Sequence, residues 1–230
     1  MVQARFLAHV WSFWMLRQAI FSYVTPIEAL SPSSISSSQF TYRMAKNADL
    51  PAVAQLLRDT FESDDQNKDS TKAKEIEQGL QCRMTEMKST SLPHAFLVAT
   101  PSDLVGVKAP DAIAAFLELG TMPSPISIEK EWNGVKVSTR PELPYVANLV
   151  VAESTRRQKV GYTMVQLAIK IAKKWCDGSS DAFLFLSVDH DNQGALSFYE
   201  RLGFERIDLS TSQKALPTKS KVYLKKFLFR

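Results

Sequence analysis

Tyr145-Val146-Ala147-Asn148-Leu149-Val150-Val151-Ala152-Glu153-Ser154-Thr155-Arg156-Arg157-Gln158-Lys159-Val160-Gly161-Tyr162 divides into three parts. Tyr145 to Val151 is a nearly continuous apolar run, the pattern of a strand buried on both faces. Glu153 to Lys159 is a polar, basic turn. Beyond it Met164, Leu167, Ala168, Ile171 and Trp175 recur at helical spacing, which predicts a helix over Gly161 to Cys176. A strand, a short turn and a helix start together make an anion site. The first-turn N–H groups have no acceptor within the helix, and the macrodipole favours negative charge there. Arg156, Arg157 and Lys159 add charge that a pyrophosphate would use, and Gly161 lets the backbone come close. A solvated basic turn is the plainer reading of the same residues, and the turn alone does not choose between them.

Working outward, Phe183 to Val188 reads as a second buried strand, and Asn192 to Leu202 as a helix. Its Ala195, Phe198, Tyr199 and Leu202 stand in the i, i+3, i+4, i+7 relation. Phe204 to Ile207 and Val222 to Phe229 read as closing strands. Upstream, Phe40 to Met44 alternates like a strand, and Asp49 stands where an N-cap belongs, ahead of Pro51, Val53, Leu56, Leu57 and Phe61. Glu62 to Asp69 reads as an acidic loop, Lys72 to Lys88 as a second helix, and Phe96 to Ala99 with Ala112 to Leu119 as paired strands. Thr121 to Pro144 is long, proline-spotted and irregular, apart from Gly134 to Val137. Early strands followed by strand–helix–strand–helix–strand predict an α/β domain with a mixed sheet over 39–230.

Composition narrows the class. The chain has 230 residues, 45% hydrophobic and 23% charged, with a net charge of +4. These values exclude a disordered chain, a collagen-like repeat and a disulfide scaffold. Cys82, Cys176 and three histidines without ligand spacing give no metal site. Residues 1–38 differ from the rest: Arg5, Arg17, one acid (Glu28), an apolar stretch from Phe6 to Val24 and a serine tract from Ser31 to Ser38. They are read as a targeting leader, with a disordered extension as the alternative. A spanning helix needs ~20 mostly uncharged apolar residues, and His9, Arg17 and Gln18 interrupt this stretch. Membrane attachment through Phe6 to Val24 is a further reading.

Arg156-x-x-Lys159-x-Gly161 resembles the R/Q-x-x-G-x-G/A pyrophosphate loop of the GNAT superfamily of acetyl-CoA-dependent N-acetyltransferases, with lysine at the first glycine position. Asn192-x-x-Ala195-x-x-x-Tyr199-x-x-x-Gly203-Phe204 is similar to that family's second signature and matches it completely. The resemblance runs from about Phe40 to the C-terminus. It implies a mixed β-sheet flanked by helices on both faces, with splayed central strands forming an acetyl-CoA cleft. It also implies acetyl-CoA as co-substrate, no metal, and direct transfer to a primary amine. A protein N-terminus or lysine comes first as acceptor. The alternatives are a small amine, or a regulatory module that binds CoA without catalysis; neither nucleic acid nor a membrane span is expected as a partner of the mature chain.

The resemblance assigns cofactor contacts to Leu149, Val150 and Val151, to the turn Arg156, Arg157, Gln158, Lys159, Val160, Gly161 and Tyr162, and to Asn192. It makes Tyr199 the acid that meets the departing thiolate. Tyr199 lies two turns beyond Asn192 on the same helix face, and core packing is the other account of it. Some relatives carry a glutamate where this chain has Ser187, so the base is sought elsewhere. Glu118 is first choice, with Asp189, His190 or a water-mediated base behind it. Leader, strand and Phe198-Tyr199 together are similar to plant and algal plastid GNAT proteins. Plastid is therefore the expected location, ahead of mitochondrion or secretory route, with cleavage before Phe40.

Overall fold

The apolar run that decided the reading lies inside an eight-stranded mixed sheet. This computed structural model describes residues 35–36, 39–61, 70–89, 93–102, 113–132, 135–176, 178, 180–209 and 221–229. Their strands are β1 (Ile35–Ser36), β2 (Phe40–Met44), β3 (Ala95–Pro101), β4 (Ala115–Pro123), β5 (Ile128–Trp132), β6 (Val135–Thr139), β7 (Glu142–Val151), β8 (Phe183–Asp189), β9 (Glu205–Arg206) and β10 (Lys221–Phe227). The helices are α1 (Leu50–Phe61), α2 (Ser70–Ser89), α3 (Val160–Trp175) and α4 (Gln193–Arg201). Strand order is β1-β2-β3-β4-β7-β8-β10-β9, with β5 and β6 forming a separate two-stranded sheet. Within the large sheet β7 and β8 are parallel and the other pairs antiparallel. A parallel pair needs a crossover, and α3 supplies it.

Side-chain alternation sends the two helix pairs to opposite faces. Ala115, Leu117 and Leu119 of β4 join Leu184 and Leu186 of β8 under α3 and α4, packing on Met164, Val165, Ala168 and Leu196. Phe116 of β4, with Phe96, Val98 and Val150, packs on Leu50, Val53, Leu57 and Leu80 of α1 and α2. Phe116 is fully buried, so truncation to alanine would cost ~3–5 kcal/mol. Glu118 shares the parity of Phe116 and therefore faces the α1/α2 side. On α3 the buried stripe is Met164, Val165, Ala168, Ile169 and Ala172, while Leu167, Ile171 and Trp175 are partly buried against its flank.

Several expectations shift. Thr121 to Pro144 is more regular than its prolines suggested: β4 continues to Pro123, and β5 pairs with β6. An Asn133-Gly134 pair between those strands was the available hairpin signal. Asp49 ends a 3-10 turn rather than capping α1, its carboxylate accepting from the Arg43 guanidinium at 2.6 and 2.8 Å and from Lys46 N–H at 2.6 Å. Ile35 and Ser36, read with the leader, pair with Tyr42 and Thr41. The rest of the leader and the Glu62–Asp69 loop lie outside the described residues.

Candidate active site

Strands β7 and β8 pair in register only at Tyr145↔Phe185 and Val146↔Leu186. Towards their C-terminal ends no further register pair joins them among the described residues, and the sheet forks. A β-bulge accompanies the fork. Glu118 faces Asn148 and the next β4 residue, Leu119, faces Val146, so Ala147 is the extra residue and is exposed. A bulge bends and twists its strand, here where β7 parts from β8. Ligands of open α/β sheets sit outside the carboxyl ends of strands, which is where this fork opens.

Over the end of β7 lies the basic turn. Arg157 (φ 66°) and Lys159 (φ 63°) both adopt the left-handed conformation. For a non-glycine residue that costs ~1–2 kcal/mol. Lys159 thus takes the backbone geometry that glycine supplies most cheaply, which explains how a lysine fits the first glycine position. Lys159 is also the N-cap of α3 and makes no side-chain cap bond. The N–H groups of Val160, Gly161 and Tyr162 therefore point out of an uncapped first turn. Arg156, Arg157, Gln158 and Lys159 are all exposed, although Val160 is buried. Free donors, a helix dipole and three cations fit a diphosphate.

Gly161 also has a packing job. A Cβ there would lie 3.3 Å from Val151 Cγ2 and 3.6 Å from Phe198 Cζ. The missing side chain lets α3 pack closely on β7 and α4, while the Gly161 N–H stays in the uncapped first turn. Among the strand residues assigned to the cofactor, Leu149 and Val151 pack partly buried against the α3/α4 core. Val150 is 2% exposed on the opposite face, so only its backbone can meet a ligand at the fork.

The second signature is a helix closed at both ends. Asn192 is the N-cap of α4, its Oδ1 accepting from Ala195 N–H at 3.0 Å. Its Nδ2 has no described partner, so capping leaves a donor over. At the other end Gly203 N–H donates to Glu200 O at 2.9 Å and Phe204 N–H to Tyr199 O at 3.0 Å. Gly203 has φ 79°. These are the 5→2 and 6→1 bonds of a Schellman motif, completed by the Tyr199–Phe204 ring contact at 5.5 Å. The spacing from asparagine to Gly-Phe is thus cap to cap, and it fixes where Tyr199 stands.

Tyr199 is buried, in edge contact with Phe198 as well as Phe204. Burial, reinforced by the nearby Tyr145, pushes its phenol well above the ordinary tyrosine value. Tyr145 Oη in turn lies 3.0 Å from Ser187 Oγ, and burial raises its pKa too. Tyr145 and Ser187 thus place a pair of hydroxyls at the floor of the fork. The packing account of Tyr199 is what the ring contacts show, and its hydroxyl stays protonated.

Glu118 is 4% exposed. Asn148 Nδ2 donates to its Oε2 at 2.7 Å, His94 Nε2 lies 3.2 Å from Oε1, and Arg83 Nε is 2.9 Å from the same oxygen. Arg83 Nε is an ion-pair contact without hydrogen-bond alignment. Burial alone would raise the carboxyl pKa, but the His94 bond, the Arg83 and His94 charges and the Asn148 bond together hold it below the usual range. Asp189 and His190 are exposed at and just past the end of β8, where His190 Nδ1 lies 3.3 Å from Asp191 Oδ1. The structure does not bring them to Glu118. Sequence reading missed Arg83, His94, Tyr145 and Asn148, which lie far apart in the chain and share no motif. Among the described residues no group of three His, Cys, Asp or Glu could hold a metal. Among them, too, no helix is long and apolar enough to cross a membrane.

The profile of the Acetyltransferase (GNAT) family matches residues 51–204. No curated protein matches the chain. Among solved structures it is similar to the PaiA N-acetyltransferase of Thermoplasma acidophilum in complex with coenzyme A, at 18% identity and TM-score 0.54, covering 82% of this chain and 98% of that one. A GNAT-family acetyltransferase from Staphylococcus aureus Mu50 gives 10% identity and TM-score 0.55, over 82% of this chain and 99% of that one. A ribosomal-protein-alanine N-acetyltransferase from Brucella melitensis gives 17% and 0.50, over 81% and 99%. At such identities the likeness is one of fold.

Proposed function

This chain belongs to the acetyltransferase (GNAT) family, and from that premise we propose that it moves acetyl directly from acetyl-CoA to a primary amine, a protein N-terminus or lysine before a small amine. The observation that carries the reading is the fork between β7 and β8 beneath the uncapped, basic start of α3. Acetyl-CoA supplies an acetyl group activated as a thioester. Arg156, Arg157, Lys159 and the first-turn N–H groups of α3 hold the diphosphate. Asn192 Nδ2, left over from capping, is a donor for an amide carbonyl of the cofactor arm. The ammonium first gives up one proton to solvent water, the nitrogen lone pair then forms the C–N bond as the C–S bond breaks, and the thiolate departs towards Tyr199, its proton replacing the second one lost from nitrogen.

The raised pKa of Tyr199 defines its part. An alkyl thiol titrates near ~8.5, below a phenol at ~10, so full proton transfer to the thiolate is uphill. Tyr199 stabilises the sulfur by donating a hydrogen bond, and the thiolate collects its proton on leaving. No acyl-enzyme is required: Cys176 sits just past the end of α3, packed against the core. Residues 1–38 are read as a cleaved leader and 39–230 as the transferase domain. The acid-poor, serine-rich composition supports this, with a plastid ahead of other compartments.

One observation favours a second reading, a module that binds CoA without catalysis: both oxygens of Glu118, the buried carboxylate among the described residues, are engaged. The full chain with acetyl-CoA, assayed against peptides with free N-termini, N-blocked lysine peptides and arylalkylamines, separates the two. Turnover is expected. Calorimetric CoA binding without turnover of any amine would establish the module, and absence of CoA binding would overturn both readings.

A further inference from the structure

Asn148 stands on β7 next to the bulge and opposite Glu118, on the sheet face that carries Tyr145 and Ser187. It is half-buried, and its Nδ2 donates to Glu118 Oε2 at 2.7 Å. An ionised carboxylate can only accept, so the amide end turned towards it must be the NH2. The two ends of an amide lie on opposite sides of Cγ. With Nδ2 bonded to Glu118 of β4, Oδ1 is left on the other side of the Cβ–Cγ axis, and the neighbour of β7 opposite β4 is β8. Oδ1 makes no hydrogen bond to a described residue. Arg83 and His94 hold Glu118 from behind, at 2.9 and 3.2 Å, and keep it charged.

Resting on the transferase reading above, we propose that Asn148 Oδ1 anchors the acceptor amine at the fork, and that Glu118 is a positioning residue that fixes which end of the Asn148 amide faces the amine. A carbonyl oxygen accepts from an amine, ammonium or hydroxyl donor and offers nothing to a thioether, and it binds an ammonium most strongly because that bond is charge-assisted. The arrangement accounts for features that a base would not need. A base benefits from raised basicity and a free lone pair, whereas Glu118 has its oxygens engaged and is held as an anion. Its cage makes chemical sense if its task is to orient Asn148.

The test uses the full chain, with whichever of three probes turns over best: a tetrapeptide with a free N-terminus, an N-blocked lysine peptide or 2-phenylethylamine. Asn148→Ala should raise KM for the amine about 10-fold or more, the effect of one charge-assisted hydrogen bond. CoA affinity by calorimetry should stay within about twofold of wild type, since the changed bond lies with the amine. Glu118→Gln should raise the same KM by less, because glutamine lets the amide turn over. The double variant should be no worse than Asn148→Ala alone, since Glu118 acts through Asn148. Additive effects, an unchanged amine KM in Asn148→Ala, or loss of kcat with its acid pH limb in Glu118→Gln would overturn the assignment, the last by making Glu118 the base. The Asn148 side-chain NH2 signals in NMR give a readout that needs no turnover. With CoA bound they should move on adding 2-phenylethylamine in wild type, and only at higher amine concentration in Glu118→Gln. Movement without turnover keeps the anchor and removes the transferase reading; no movement removes the anchor even if the enzyme is active.

Discussion

Tyr145 Oη and Ser187 Oγ are hydrogen-bonded at 3.0 Å across the rungs where β7 and β8 last meet. The bond closes the floor of the fork with two hydroxyls, one from each strand. Ser187 occupies the place where some relatives carry a glutamate, so this chain ties down its second tyrosine where others hold a charge. Tyr145 also helps to keep Tyr199 of α4 protonated.

Replacing Tyr199 by phenylalanine keeps the ring contacts with Phe198 and Phe204 and removes the donor. We expect kcat to fall by ~10²- to 10⁴-fold, the lower end suiting a hydrogen bond without full proton transfer, with CoA affinity little changed. Steady-state kinetics with calorimetry check this; an unchanged kcat would leave Tyr199 a packing residue only.

Charge reversal on the turn should act on binding. Arg157→Glu or Lys159→Glu is expected to weaken CoA affinity, and the deficit should shrink as salt is raised from ~0.1 to 1 M because the groups are exposed. Calorimetry at two ionic strengths reads the difference, and equal affinity for wild type and variant at low salt would contradict it.

Lys159→Gly should separate backbone from charge. Removing a side chain from a left-handed residue relieves ~1 kcal/mol, raising the melting temperature by roughly 2–4 °C in a domain of this size. CoA binding should weaken in the same variant through the lost charge. A lower melting temperature would show that Lys159 is held by something other than its conformation.

Acid stability follows from Glu118. Its folded pKa lies below its unfolded value, so its contribution is complete above about the ordinary glutamate range and is lost as pH falls through the folded pKa. Asp49, lowered by Arg43 against the cost of burial, acts with the same sign. Urea unfolding between pH 7 and 3 should therefore show stability falling with pH, and falling less steeply in Glu118→Gln. Parallel slopes for the two proteins would remove Glu118 from the account.

The leader is tested on the chain as its own cells make it. Mass spectrometry should find a mature N-terminus upstream of Phe40 and short of full length, in an organelle. Recovery of the protein with Met1 to Ser38 intact would contradict processing.

What sequence made legible was whatever is local. Asn192, Gly203 and Phe204 cap one helix, and Arg156 to Gly161 begin another, so short-range spacing was enough to locate both. The bulge at Ala147 was not legible, because it exists only as a mismatch of register between β4 and β7. Glu118 was legible as a residue but its surroundings were not, because Arg83 and His94 are brought to it from α2 and from just ahead of β3 by packing. Gly161 was legible as a motif residue but not in its packing, since only the fold reveals Val151 and Phe198 beside it.

The two-rung join between β7 and β8 has a mechanical consequence. The sheet behaves as two leaves, β1–β4 with β7 and β8 with β10 and β9, stitched by two rungs of main-chain bonds and by the crossover of α3. Main-chain amides along β7 beyond Val146 that face the gap are an edge in the middle of a sheet, and they will exchange with solvent sooner than their central position suggests. Such a seam is where opening begins, at a free energy below that of global unfolding. A molecule lying across it fastens both leaves together, so the protein is hardest to melt when its co-substrate is plentiful.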